Sequence, residues 1–212
     1  MQILVVGANG QVGKQLVSLL MQQQHQVRAM IRDHSQAPLL EGLGAKAVLA
    51  DLEGDIAHAV KGADAIIFTA GSGGHTGPDK TELVDHLGAI KTIGEAERLG
   101  VNRYVMLSAL RAKDPDNGPE TMHHYLVAKK KADNRLQNSS LNYTIVRPGR
   151  LSNEEGSGRV EIAENLPFRP EPISRVDVAY VLASTVDLTN TYRRCFDLLA
   201  GETPVMDALR EL

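Results

Sequence analysis

The sequence contains a single cysteine, Cys195, among its 212 residues. One cysteine cannot form an intramolecular disulfide. Cys195 lies in the apolar run CFDLLA, and this setting favours a buried structural thiol over a reactive one. The length is sufficient for a substantial hydrophobic core and is within reach of a single domain, which we place over residues 1–212.

An excess of positive charge is also missing, because 23 Lys and Arg residues face 26 Asp and Glu residues, a net charge of −3. A nucleic-acid partner would require a basic surplus to neutralise its phosphates. The run Lys129 to Lys131 is too short for a basic tail. We therefore expect no nucleic-acid partner.

No apolar stretch approaches the ~20 residues that a membrane-spanning helix requires. Met1 leads almost directly into ILVVG, which predicts a core strand rather than a signal peptide. The sequence therefore predicts a cytoplasmic protein with no membrane partner. Its His, Cys, Asp and Glu residues also lack metal-site spacing, so we expect no metal.

Short β-branched runs alternate with longer amphipathic segments along the chain. Continuous apolar strands that alternate with helices predict a Rossmann-like α/β fold, a doubly wound parallel sheet with helices on both faces. The predicted strands are 3–6, 26–31, 46–50, 63–70, 103–109, 142–148 and 194–199, and the predicted helices are 11–24, 81–100, the helix with Tyr125, 175–187 and 204–211.

Three stretches look irregular: residues 71–80, 111–121 and 150–173. The last is rich in glycine and proline and is long for a compact domain, so we expect a substrate-side loop or small cap there. His75 lies in the first stretch, near the expected cleft, and we interpret it as a loop residue without a role in catalysis.

The stretch VVGANGQVGK spaces three glycines as G-x-x-G-x-x-G between a predicted strand and a predicted helix. That context favours a dinucleotide site, because the glycines allow a tight turn, close approach of a pyrophosphate and close helix packing. Backbone N–H groups at the helix N-terminus would face the phosphates. The cofactor-binding residues predicted here are Gly7, Asn9, Gly10, Gln11, Val12 and Gly13.

The end of the second strand reads AMIRD. Arginine suits the 2′-phosphate of NADP, whereas an acidic residue suits the ribose hydroxyls of NAD. Arg32 can form a forked contact with phosphate, so we favour NADP over NAD as the cofactor. The alternative is that Arg32 only solvates the strand end, and the neighbouring Asp33 keeps NAD open.

Two further strand ends belong to the expected cofactor site. Asp51 and Leu52 follow the third strand, where a carboxylate can meet the adenine amino group, although Asp51 could equally be a simple turn residue. After the fourth strand, the small residues Ala70, Gly71 and Ser72 would let the backbone approach the ribose.

The segments GANGQVG, AMIRD, AGSG, MLSA, YLVAK and YTIVRPGRL, in this order, resemble an atypical short-chain dehydrogenase/reductase. The most similar group is the small NAD(P)-binding proteins of the NAD-dependent epimerase/dehydratase or NmrA-like type. The resemblance covers nearly the whole chain. It is specific for fold and cofactor and much less specific for the reaction.

The resemblance implies an active site that consists of Tyr125 and Lys129 from the Y-x-x-x-K motif, Ser108 upstream and Asp85 on the long helix. Many relatives carry asparagine in place of Asp85. Lys129 would also bind the nicotinamide ribose, and the backbone of Pro148 and Gly149 would lie near the nicotinamide.

These residue types suit proton transfer to or from a small carbonyl or alcohol substrate. Residues i and i+4 share a helix face, so Tyr125 and Lys129 can point together into the cleft. A nearby ammonium lowers the pKa of a tyrosine, which is otherwise near 10. Ser108 would hold the substrate oxygen while Tyr125 gives or takes its proton.

Two features keep other functions open. The segment between Ser108 and Tyr125 is long and could displace the serine, and Asp85 cannot donate as an asparagine amide does. The alternatives are a non-catalytic NADP(H)-binding redox sensor of the NmrA-like type and an NAD(P)-dependent epimerase/dehydratase. An exposed helix with an aromatic anchor is the ordinary explanation of Tyr125 and Lys129. The sequence leaves monomer and homodimer equally open.

Overall fold

The computed structural model describes residues 1–73 and 76–212; Gly74 and His75 lie outside the described residues, so the interpretation of His75 has no structural counterpart. The strands are β1 (Gln2–Val6), β2 (Gln26–Ile31), β3 (Lys46–Leu49), β4 (Ala65–Phe68), β5 (Arg103–Leu107), β6 (Asn142–Pro148), β7 (Leu151–Ser152), β8 (Arg159–Ala163), β9 (Ile173–Ser174), β10 (Arg194–Ala200) and β11 (Thr203–Pro204).

The helices alternate with these strands, and the hydrophobic pattern predicts all of them except the short helices α2 and α3. They are α1 (Gln11–Gln22), α2 (Ala37–Gly42), α3 (Ala57–Val60), α4 (Pro78–Thr81), α5 (Ala89–Leu99), α6 (His123–Gln137), α7 (Arg175–Thr185) and α8 (Val205–Arg210).

The main sheet has the strand order β11-β8-β10-β6-β5-β4-β1-β2-β3. All neighbours from β3 through β1 to β10 are parallel. One face packs against α1 and α7, and the other against α3, α5 and α6, each through its own apolar cluster. The predicted Rossmann-like α/β fold is therefore confirmed. Strand order reverses between β1 and β4, which leaves a crevice at their carboxyl ends.

The far edge of the sheet departs from the sequence prediction. The stretch 150–173 is not irregular, because β8 lies within it and pairs antiparallel with β10, while β11 pairs antiparallel with β8. The five residues RVEIA of β8 are flanked by glycine and proline. So short an edge strand gives little periodicity, and only its pairing with β10 identifies it.

The helix predicted over 81–100 begins earlier, at Pro78. It runs without a break from α4 through a π-helical segment, Glu82–Gly88, into α5. A π-helical turn inserts an extra residue and changes the direction in which side chains project. Asp85 lies in this segment and is fully buried. In the described part of the chain, no helix is both long and apolar enough to span a bilayer.

Candidate active site

A groove with a volume of about 350 Å³ lies at the carboxyl ends of β1 to β4, where the strand order reverses. Nine of the predicted cofactor residues line it: Gly7, Asn9, Gly10, Arg32, Asp51, Leu52, Ala70, Gly71 and Ser72. The sequence did not single out the other lining residues, which are Val6, Met30, Ile31, Gln36, Ala50, Glu53, Thr69, Thr76, Lys80 and Val84.

The glycine turn between β1 and α1 forms one wall of the groove. Gly7 has φ of +85°, and a Cβ there would lie 2.5 Å from the backbone nitrogen of Ala70, so only glycine fits between β1 and β4. Gly10 donates its N–H to the Gly7 carbonyl at 2.9 Å. Helix α1 then begins at Gln11 without a side-chain cap, which leaves its first N–H groups available to an anion.

Gln11, Val12 and Gly13 form the first turn of α1 and do not line the groove with their side chains. Val12 and Gly13 are buried against the sheet. A Cβ on Gly13 would lie 2.2 Å from the Gly7 carbonyl oxygen. Gly13 therefore allows the helix to approach the turn closely, and only the backbone of this segment is in a position to meet a phosphate.

Replacing Gly13 with alanine is expected to lower the free energy of unfolding by about 1–3 kcal/mol, because overpacking forces the helix away from the turn. Chemical denaturation of both proteins measures this difference. Gly94→Ala in α5 is the matched control, since a Cβ there meets no atom within 4 Å. The control should be stabilised by roughly 0.5–1 kcal/mol, as expected for glycine inside a helix. Equal effects of the two substitutions would contradict the packing role.

Arg32 and Asp33 differ in how their side chains are used. The Asp33 carboxylate accepts a hydrogen bond from the Ser35 N–H at 2.7 Å and caps a short helical turn. Its bonds to Ser35 lower the pKa of Asp33. The exposed Arg32 side chain lines the groove, and its guanidinium has no hydrogen-bond partner within residues 1–73 and 76–212. Arg32 is thus the charged group that this strand end presents to a ligand.

The turn after β3 forms the opposite wall. Asp51 accepts a bond from the Glu53 N–H at 2.9 Å, so its carboxylate has a turn-forming role as well as a place in the groove. Lys91 donates to the carbonyls of Leu52 and Gly54, at 2.7 and 2.8 Å, and so fixes this turn to α5.

Asp85 connects the groove with a second cluster of polar residues. Its Oδ2 accepts the Ser72 N–H at 2.9 Å, which holds the loop after β4 in place. Its Oδ1 lies 3.5 Å from Lys129 Nζ. Asp85 therefore holds the loop by accepting a hydrogen bond and holds Lys129 by an ion pair. An asparagine amide could donate in such a place, whereas this carboxylate cannot.

Tyr125 and Lys129 lie one turn apart on α6 and face the end of β5. Lys129 is 4% exposed and donates to the Leu107 carbonyl at 3.0 Å. Its ammonium lies 5.9 Å from the centre of the Tyr125 ring. Lys129 therefore does not lie on the solvent side of the helix, whereas Tyr125 is half-buried.

The charges around Tyr125 differ from the sequence expectation. Burial raises the pKa of Tyr125, the Lys129 ammonium lowers it, Asp85 and Asp133 raise it again, and the net pKa is above the ordinary value. Burial lowers the pKa of Lys129, but Tyr125, Asp85 and Asp133 outweigh that effect and raise it overall. The expectation of a lowered tyrosine pKa is wrong, because burial and the carboxylates of Asp85 and Asp133 together outweigh the effect of the Lys129 ammonium.

Ser108 keeps its place despite the long segment that follows it. Its N–H continues the sheet by donating to the Val146 carbonyl at 2.8 Å, and Leu110 donates to the Pro148 carbonyl at 3.0 Å. The hydroxyl of Ser108 is buried and has no partner within the described residues. The bonds to the Val146 and Pro148 carbonyls place the turn after β6 beside Ser108. The Gly149 N–H of this turn donates to the Leu198 carbonyl at 3.0 Å, and the turn does not line the groove.

Sequence reasoning missed Asp133 and Arg147 in this cluster. Arg147 Nε donates to Asp133 Oδ2 at 2.9 Å, and both residues are buried. Burial raises the pKa of Asp133, while Arg147, Ser108 and Lys129 lower it, and the net direction is upward. The available signal was spacing, because Asp133 follows Lys129 by four residues, as Lys129 follows Tyr125.

The described residues contain the features that a dinucleotide site requires. Gly7 and Gly13 let β1, β4 and α1 pack closely, so that the N-terminus of α1 lies at the groove, and Arg32 presents a cation at the strand end. Ser108 Oγ is buried without a hydrogen-bond partner in the described chain, which suits a polar atom that awaits a ligand. Among the described residues, no group of three His, Cys, Asp or Glu could hold a metal ion.

A family model described as NAD(P)H-binding matches residues 7–188. The chain belongs to this NAD(P)H-binding family. YhfK of Bacillus subtilis (strain 168), named as an uncharacterized sugar epimerase, is 50% identical over 216 residues that cover 100% of both chains. The match confirms the nicotinamide cofactor and the resemblance inferred from the sequence motifs.

Solved structures agree with this family. A Bacillus halodurans protein, named provisionally as an NAD-dependent epimerase/dehydratase, has a TM-score of 0.98 and 49% identity, with 100% of both chains covered. The oxidoreductase ylbE from Lactococcus lactis has a TM-score of 0.90 and 31% identity over 100% of this chain and 96% of its own. The NAD(P)H-binding protein described here is therefore an enzyme of the NAD(P)-dependent oxidoreductase or epimerase type.

Proposed function

We propose that this protein is an NADP-dependent oxidoreductase that reduces a small carbonyl substrate, with Tyr125 as the proton donor. The observation that carries the proposal is the half-buried Tyr125 beside the buried Lys129, near the Ser108 hydroxyl, which has no hydrogen-bond partner among the described residues. Asp85 links these residues to the groove. It contacts Lys129, and it also accepts the Ser72 N–H in the loop after β4.

Each residue has a role that follows from its position. The glycine turn and the N-terminus of α1 bind the pyrophosphate, and Arg32 binds the 2′-phosphate. Lys129 hydrogen-bonds the nicotinamide ribose, and the backbone of Pro148 and Gly149 lies along the nicotinamide. When bound, the reduced nicotinamide supplies the hydride. Ser108 holds the substrate oxygen, and Tyr125 protonates it.

The protonation of Tyr125 suits a proton donor. Burial and the carboxylates of Asp85 and Asp133 raise the pKa of Tyr125, so its phenol keeps its proton at neutral pH. A neutral phenol can protonate a carbonyl oxygen as the carbonyl is reduced. A screen of carbonyl compounds for oxidation of NADPH tests the proposal, and no rate with any compound would argue against it.

Two relatives carry names that favour a second candidate, an NAD(P)-dependent epimerase/dehydratase. Such an enzyme regenerates its cofactor within each turnover and commonly keeps it bound. Purified protein that retains a dinucleotide, seen by its absorbance, would favour this candidate. Tight NADP(H) binding without turnover would instead indicate a redox sensor.

The stretch 150–173 is proposed to cover the substrate. Lys113, in the segment after Ser108, donates to the buried carboxylate of Asp197 at 2.9 Å. The Leu166 N–H donates to the same oxygen at 3.0 Å. The Arg111 guanidinium lies 4.2 Å from the centre of the Phe168 ring. These contacts join two loops beside Ser108. The cytoplasmic location and the choice between monomer and homodimer stay predictions.

Replacing Arg32 with alanine is expected to weaken NADPH binding about tenfold or more, because a charge-assisted bond contributes roughly 1.5–3 kcal/mol. NADH binding should change little, since NADH has no 2′-phosphate. Fluorescence titration of both cofactors with wild type and variant measures the difference. Arg210→Ala is the matched control, as Arg210 lies in α8, outside the groove. An equal loss of NADPH and NADH affinity would contradict the phosphate assignment.

A further inference from the structure

Asp133 and Arg147 form a buried ion pair directly behind the proposed catalytic residues. Asp133 is 1% exposed, and Arg147 is 7% exposed. Asp133 lies one helical turn beyond Lys129, which lies one turn beyond Tyr125, so the three side chains share one face of α6. A buried ion pair adds little to stability, because the loss of solvation offsets the attraction. Its position beside the site therefore points to a role in the chemistry.

The pair is only partly satisfied by hydrogen bonds. Arg147 occupies Asp133 Oδ2, whereas Asp133 Oδ1 has no hydrogen-bond partner in the part of the chain that the structure describes. Ser108 lies beside this carboxylate, close enough for its hydroxyl to lower the pKa of Asp133, although Ser108 Oγ makes no short hydrogen bond within the described residues. Catalytic hydrogen bonds are often long without substrate and shorten when it binds. Asp133 is therefore placed to accept the Ser108 proton until a substrate oxygen replaces it as the acceptor.

We propose that Asp133, fixed by Arg147, is a positioning residue that acts through Lys129 and Ser108 and commits Tyr125 to giving a proton. This inference rests on the proposed function. The Lys129 ammonium favours a Tyr125 phenolate, and the carboxylates of Asp85 and Asp133 oppose this effect.

The proton transfer balances within these groups. The O–H bond of Tyr125 breaks, and a new O–H bond forms on the substrate oxygen, which becomes a hydroxyl as the carbonyl is reduced by the nicotinamide hydride. Tyr125 is left as a phenolate beside the Lys129 ammonium and takes a proton from solvent before the next turnover. The charges that face Tyr125 are Lys129 and Asp133 on α6 and Asp85 on the π-helical segment, with Arg147 of β6 behind Asp133.

The test is the titration of Tyr125 in the protein without added cofactor, followed by the ultraviolet absorbance of tyrosinate. Subtracting the curve of the same protein with Tyr125→Phe isolates this one residue. Asp133→Asn removes a negative charge and should lower the pH at which Tyr125 ionises by about one unit or more. Asp133→Glu keeps the charge and should titrate close to wild type. If Asp133→Asn does not fold, Asp133→Ser replaces it, because serine also removes the negative charge.

Asp177→Asn is the matched control. Asp177 is also a buried carboxylate, but it lies on α7 and accepts the N–H groups of Ser157 and Gly158, away from Tyr125. This variant should lose stability and leave the Tyr125 titration unchanged. An unaltered titration in Asp133→Asn would overturn the inference. If the wild-type protein shows no NADPH-dependent turnover, the proposed function is rejected. The titration would still decide whether Asp133 affects the ionisation of Tyr125.

Discussion

Replacing Tyr125 with phenylalanine is expected to lower kcat for carbonyl reduction by about 10²–10⁴-fold, the usual contribution of a general acid. The substitution removes only the hydroxyl and keeps the ring against Lys129, which lies 5.9 Å from the ring centre. NADPH binding should therefore stay within about twofold of wild type, because the groove is unchanged. Steady-state kinetics and a cofactor titration of both proteins measure the two quantities.

Tyr180→Phe is the control for this experiment. Tyr180 lies on α7, which packs on the other face of the sheet, so loss of its hydroxyl should leave kcat unchanged. A Tyr125→Phe protein with the wild-type rate would rule out the tyrosine as proton donor. A protein that loses NADPH affinity in the same proportion as kcat would indicate that Tyr125 contributes to binding.

Replacing Arg103 with methionine is expected to lower the free energy of unfolding by about 3–5 kcal/mol, because several buried acceptors lose their donor. Arg103 is 4% exposed and starts β5. Burial lowers its pKa to about 10, so it stays charged at neutral pH. Its guanidinium donates to three carbonyl oxygens and two hydroxyl oxygens, those of Asn142, Thr185, Val186, Thr144 and Thr191.

Methionine has a similar length and fills much of the space, so the lost stability reports the acceptors that are left without a donor. Chemical denaturation measures the effect, and Arg98→Ala is the control. Arg98 is exposed, and its one ion pair within residues 1–73 and 76–212 is with Glu95 on the same helix, which contributes at most about 0.5 kcal/mol. A loss below about 1 kcal/mol for Arg103→Met would mean that water replaces the guanidinium.

Most of the fold could be predicted because its strands are continuous apolar runs, as buried parallel strands require. The runs QVRAMI and NYTIVRP coincide with β2 and β6 as the structure has them. The edge strand β8 could not be predicted in this way, because only one of its five residues is fully buried and its short run lacks a clear period.

The predicted cofactor site rests on local motifs, and nine of its residues line one groove. The glycine turn and the ends of β2, β3 and β4 converge there because parallel strands end at the same edge of the sheet. The balance of charge at Tyr125 involves residues far apart in sequence. Asp85, Ser108 and Arg147 come from three different elements, and no local pattern shows that they meet.

The sequence by itself determined the parallel sheet, the glycine turn and the pair of Tyr125 and Lys129, because each depends on residues a few positions apart. The tertiary structure alone decided three other matters. Asp33 caps its own turn and leaves Arg32 to the groove. Residues 159–163 extend the sheet. Burial, together with the carboxylates of Asp85 and Asp133, raises the pKa of Tyr125 instead of lowering it, because electrostatic effects follow distance and burial in space.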